Sequence, residues 1–176
     1  MKRFFSPTQM SLASRTFSMA ERLAGAYFRL SAAEWRLHRY DVKTRAYLED
    51  HEVQEGTFAH LCRYEYRQEP EETDRHRHFY RICLQDGRII DAVERAHSFI
   101  RLSPLLLYIA AHELVHVIRF ERGEGNFEAD EEEKTGEEET VHRITRNLLR
   151  PATNGELNLV LDCFSNDYRI GDFVRS

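Results

Sequence analysis

Residues 105–120, LLLYIAAHELVHVIRF, form an almost unbroken apolar run, and this run constrains the fold more than anything else in the chain. A segment apolar on nearly every face cannot lie on a surface, so other elements have to be built around it. Ser103 and Pro104 just before it read as an N-cap and a first-turn proline, which predicts that the run is a helix. It is too short for a membrane span and carries His112, Glu113, His116 and Arg119, so no membrane partner is expected.

The same run contains the sharpest chemical pattern in the chain: His112, Glu113, Leu114, Val115 and His116 spell HExxH. On a helix, positions i and i+4 share a face, so His112 and His116 can offer two imidazole nitrogens to one metal ion. Glu113 then lies beside that ion, as a base for metal-bound water. With nine histidines in 176 residues, the pattern has a chance expectation of roughly 5%. Burial sharpens it, because two imidazoles and a carboxylate inside an apolar helix are costly to desolvate unless paired, and a divalent cation pairs with all three.

Around the run, 176 residues suffice for one domain with a real core. Residues 1–8 are expected to be a flexible tail, because the first twenty residues are basic and Ser-rich; Lys2, Arg3, Phe4 and Phe5, followed by Ser6 and Pro7, lack the continuous apolar stretch of a secretory signal, so a cytoplasmic protein is expected. Residues 9–40 read as an N-terminal helical region, with Met19, Leu23, Ala26, Tyr27, Leu30, Trp35 and Leu37 as its apolar stripe and Gly25 or Ser31 dividing it. Glu34 and His38 stand at i and i+4 there and read as a surface pair.

Residues 45–150 are expected to form the core that holds the site. Residues 57–67 alternate like a strand, with Phe58, His60, Cys62, Tyr64 and Tyr66 on one face and Ala59, Leu61, Arg63 and Glu65 on the other. Residues 68–77, with Pro70, read as a loop, and His76 and His78 among arginines as solvated charge. Residues 78–85 read as a second strand, and Asp86 and Gly87 as a hairpin turn leading into Arg88, Ile89 and Ile90. Residues 98–102 read as a further strand entering the long helix. The expected fold class is therefore α+β: N-terminal helices, then a small antiparallel sheet of three to five strands packed with the HExxH helix and a second helix. Residues 157–162 and 168–174 are apolar without a decisive period.

Cys62, Cys83 and Cys163 are odd in number, widely spaced and without CxxC, which argues against a disulfide framework or a thiolate zinc site and for reduced, packed thiols. The net charge of −5 is uneven, since ten acids between Glu121 and Glu139 face only Arg122 and Lys134. That stretch carries about −8, which excludes nucleic acid as a partner there.

A catalytic zinc site takes three protein ligands and keeps one position open, so His112 and His116 need a third. Helical pattern resumes at about residue 136 and runs to residue 150, before Pro151, with Val141, Ile144, Thr145 and Leu148 defining its inward face. Glu138, 22 residues after His116, falls about 60° from Val141 and Glu139 about 160° away, which makes Glu138 the better ligand. His142, one turn on, is also on that side and is a candidate to ligate the metal or to orient the site. Thr135 and Glu138 also form a capping-box pattern, a competing structural role.

With His112, Glu113, His116 and Glu138 so arranged, the chain resembles a zincin metallopeptidase of the gluzincin type, over roughly residues 57–150. In such families an HExxH helix is followed by a helix that contributes a glutamate; His142 departs from the acid often found at its position. The resemblance implies a zincin-like fold, a Zn²⁺ cofactor held by His112, His116 and Glu138, and a peptide or protein substrate hydrolysed with Glu113 as general base. It also implies a strand for the substrate, here residues 98–102, and an oxyanion stabiliser, for which Tyr168 and Arg169 are candidates. Two alternatives stand beside it. One is a metal-binding or regulatory domain of the same shape without catalysis. The other is a di-iron carboxylate protein, since Glu113 with His116 and Glu139 with His142 are both ExxH pairs.

Overall fold

A computed structural model describes residues 2–65 and 78–164. It is an α+β fold whose described elements are α1 (Pro7–Phe28), α2 (Ala32–Leu37), β1 (Tyr40–Lys43), β2 (Ala59–Glu65), β3 (His78–Leu84), α3 (Asp86–Arg95), α4 (Leu102–Glu121), α5 (Glu131–Leu148) and α6 (Gly155–Cys163). Short 3₁₀ turns at Arg45–Tyr47, Asp50–Glu52 and Arg150–Ala152 complete it.

The apolar run is the axis of the molecule. Fifteen consecutive residues of α4, Pro104 to Ile118, are buried, with α1, α3, α5, α6 and β2 packed around them. By length and composition this helix is apolar enough to cross a membrane, contrary to the sequence expectation, but 78% of that window is buried inside the fold. The helix begins two residues earlier than expected, with Arg101 at the N-cap and no side-chain cap, so Ser103 lies within its first turn.

Residues 2–8 differ from the expected tail. Phe5 is buried, Arg3 pairs with Asp91 and Glu94, and Ser6 and Gln9 form a capping box that starts α1 at Pro7. The inward stripe of α1 is Ala13, Thr16, Phe17, Ala20 and Ala24, whereas Tyr27 and Leu37 are among the exposed hydrophobics. Met19, Leu23, Leu30 and Trp35 of the expected stripe pack, partly buried, against the core, while the most deeply buried positions of α1 are mainly alanines, whose small side chains suit close packing on α4. Ser31 caps α2, and the Glu34 carboxylate accepts from the Ser31 N–H, so Glu34 has a capping role beside its charge interaction with His38.

The sheet is mixed rather than antiparallel, with strand order β1-β3-β2: β2 runs antiparallel to β3 and β1 parallel to it. The alternation expected for β2 holds. Ala59, Leu61, Tyr80, Ile82 and Leu84 share the face turned to the helices, and His60, Cys62, Tyr64, Arg81 and Cys83 share the other. Glu52, fully buried, lies over this second face: its carboxylate accepts from Tyr64 and Arg81, and its carbonyl accepts from Gln85.

Two expected strands are absent. Asp86 and Gly87 open α3 instead of a hairpin, because Ile89, Ala92, Val93 and Ala96 recur at helical spacing. The buried Asp86 carboxylate accepts from the N–H groups of Phe5 (2.7 Å) and Arg45 (2.9 Å), tying three distant segments together. Residues 98–102 are not extended, since His97 and Ser98 have positive φ (46° and 74°) and turn the chain directly into α4. Residues 157–162 belong to α6, whose start is capped by Asn154. The loop at 68–77, His76, Tyr168 and Arg169 lie outside the described residues.

Candidate metal centre

His112 and His116 lie on one face of α4, with ring centroids 4.9 Å apart and residue exposures of 9% and 5%. α5 brings Glu138 across to them. Its Oε2 is 3.0 Å from His112 Nε2 and its Oε1 2.9 Å from His116 Nε2, so one carboxylate spans both imidazoles. One donor atom from each residue lies within 4.8 Å of the other two.

Glu138 occupies the third position because α5 starts earlier than its apolar periodicity suggests. Asp130 caps it by accepting from the Glu133 N–H, and Glu131, Glu132 and Glu133 fill a first turn that the helix dipole favours. Thr135 therefore sits mid-helix, its hydroxyl bonded to the Glu131 carbonyl, and Glu138 has no capping duty. A second contact fixes the register of α5 on α4. Arg119 makes two parallel bonds to Glu137, at 2.8 and 2.9 Å, with both side chains mostly buried. Gly125 belongs to this clamp, since a Cβ there would lie 2.7 Å from Glu137 Oε1.

His142 is beside the triad rather than in it. Its Nδ1 is 2.6 Å from the Tyr108 hydroxyl, which is also 3.5 Å from His112 Nδ1. The ionised Glu138 carboxylate accepts from His112 Nε2–H, a proton that a cation at this point would displace, and the Tyr108 hydroxyl links the other nitrogen of His112 to His142. Burial, with His112 and Arg146 nearby, lowers the His142 pKa to about 4, so its ring is neutral and can accept. Phe164 stacks on Tyr108 at 4.1 Å and closes the group from the C-terminal side. Glu139 is exposed and is not part of the cluster of His112, His116 and Glu138.

The donor set fits a small divalent cation. His116 Nδ1 and Nε2 and Glu113 Oε2 are buried without a hydrogen-bond partner among the described residues. His116 Nε2 meets Glu138 Oε1 at an ion-pair distance of 2.9 Å but outside hydrogen-bond geometry. Ligands of a tetrahedral zinc stand about 3.4 Å apart, so a cation would open the present contacts by about 0.4 Å, a side-chain adjustment. Burial opposes ionisation of Glu138, but His112 and His116 hold its carboxyl well below the usual range. Burial pushes Glu113 up to about 7, with His112 opposing and Glu138 reinforcing the rise.

The cysteines are not all independent packed thiols. Cys62 and Cys83 are brought to an Sγ···Sγ distance of 3.8 Å, while Cys163 lies on α6. Tyr108 and the Arg119 to Glu137 clamp were not singled out from sequence, although Tyr108, at i−4 from His112, carried a positional signal. Comparison of the chain with protein-family models, with curated proteins and with solved structures returns no match.

Proposed function

We propose that the protein is a zinc-dependent metallopeptidase of zincin-like, gluzincin type, with His112, His116 and Glu138 as metal ligands and Glu113 as general base. The approach of both Glu138 oxygens to the two Nε2 atoms carries this reading, because HExxH alone leaves the third ligand undefined. A zinc ion held there supplies a Lewis acid for the scissile carbonyl and lowers the pKa of its water to about 7. Glu113, buried and electrostatically coupled to His112 and Glu138, takes the proton of the attacking water and returns it to the leaving amine. Tyr108 and His142 orient His112. β2, at an edge of the described sheet and packed on α4, is the strand that would hold an extended peptide, the role expected of residues 98–102.

A metal-holding regulatory role without catalysis is the second reading, favoured by the low exposure of both imidazoles. Glu113→Gln separates the two. The variant should keep zinc in the His112 site while hydrolysis of a peptide library falls by about 10²-fold or more. A zinc-loaded wild type that cleaves nothing supports the second reading, and a chain in which His116→Ala removes no zinc refutes both.

A further inference from the structure

On the sheet face turned away from α4, β2 and β3 bring together three soft donors unrelated to the HExxH site. His60 stands directly opposite Cys83 in the antiparallel register, and Cys62 is its neighbour two residues along the same strand. Cys62 Sγ is 3.8 Å from Cys83 Sγ and 3.9 Å from His60 Nδ1, and the three donors lie within 4.8 Å of one another. We propose that His60, Cys62 and Cys83 form a second metal site, selective for a thiophilic d¹⁰ cation, with Zn²⁺ as the ion that fits its spacing.

Three observations carry this. Two sulfurs on a tetrahedral zinc, each at about 2.3 Å, stand about 3.8 Å apart, which is the spacing already present before any ion enters. The His60 ring is also turned as a ligand should be, since its Nε2 lies 2.5 Å from the Glu52 carbonyl and donates to it, which leaves the Nδ1 lone pair directed at the sulfurs. A ring nitrogen anchored on a backbone carbonyl is the usual support of a ligating histidine. The anchor is itself fixed, because Glu52 is fully buried and is held by Tyr64, Arg81 and Gln85.

Without an ion the same three groups form a chain of weak bonds, Cys83 S–H to Cys62 and Cys62 S–H to His60 Nδ1, and a cation at their centre would replace both bonds with three ligand contacts. Burial raises the thiols of both Cys83 and Cys62, so without a cation they stay protonated and unreactive. On binding, each thiol releases its proton to solvent and each sulfur gives a lone pair to the ion. One Zn²⁺ and two thiolates sum to zero charge, which suits a half-buried site. His60 and Cys62 are partly exposed, which gives the ion an entry and leaves a fourth position for water.

Cobalt(II) is the probe, because thiolate ligation gives a near-ultraviolet charge-transfer band that a site of two imidazoles and a carboxylate lacks. Reduced, metal-free full-length chain titrated with Co²⁺ should show this band. Cys62→Ser, a near-isosteric change at a partly exposed position, should abolish the band and one equivalent of bound cobalt. His116→Ala and Cys163→Ser should both leave the band intact. Absence of the band in the wild type, or its survival in Cys62→Ser, overturns the proposal. Loss of cobalt in His116→Ala reports on the other site alone, so the two readings fail separately.

Discussion

Tyr108 shows how a single hydroxyl can prepare a ligand. It sits one helical turn before His112, is almost fully buried, and spans from His112 to His142 on the neighbouring helix. Tyr108→Phe keeps the ring and its stacking on Phe164 while removing the oriented hydrogen bonds. Zinc affinity at the HExxH site should fall about 10- to 100-fold in a chelator competition, with the circular dichroism unchanged. Glu121, at the end of α4, makes a second residue-scale case. Burial raises its carboxyl to about 7 against the pull of Arg63, and one of its oxygens is buried without a hydrogen-bond partner among the described residues. Its folded pKa lies above its unfolded value of about 4.3, so the native state favours the protonated form, and that advantage is lost as pH rises through 7. Glu121→Gln should therefore melt higher than wild type at pH 8, with a gap that narrows toward pH 5; a gap independent of pH would show that the carboxyl does not titrate in this way.

At the scale of elements, α4 and α5 are joined twice, by the metal-site residues and by Arg119 with Glu137. Removing either partner of that bidentate, mostly buried pair should cost on the order of 1–3 kcal/mol. A double-mutant cycle of Arg119→Ala and Glu137→Ala should show a coupling energy in urea unfolding, and additive effects would mean that the clamp contributes nothing. Much of this scale was legible before the structure. An apolar run of sixteen residues leaves little alternative to a buried helix, strict alternation identified β2, and the wheel angle selected Glu138 over Glu139. The misses have physical causes. Asp86 and Gly87 are local turn formers, but Asp86 serves Phe5 and Arg45, two partners more than forty positions away. The first turns of α5 extend into solvent and bear acids that suit the dipole, so no apolar period announced them. The parallel pairing of β1 with β3 leaves no local mark in either strand, because crossover partners are chosen by tertiary packing. His60, Cys62 and Cys83 show no motif spacing because their proximity is created across two strands.

For the whole molecule, a cation at the HExxH site would act as a brace between α4 and α5, stabilising only the folded state. Free zinc at about a hundred times the dissociation constant adds about 2.7 kcal/mol. A chain of this length should then gain roughly 5–10 °C in melting temperature. Thermal scans with zinc and with chelator test this, and the gain should shrink in His116→Ala; a melting temperature indifferent to zinc would remove the brace. The burial of α4 also bears on how the protein is made. During synthesis α1 and the sheet emerge first and give this helix one wall, but α5 and α6, the remaining cover, are translated only after it. For that interval a helix that is apolar enough, by length and composition, to cross a membrane lacks the cover that α5 and α6 give it in the folded chain.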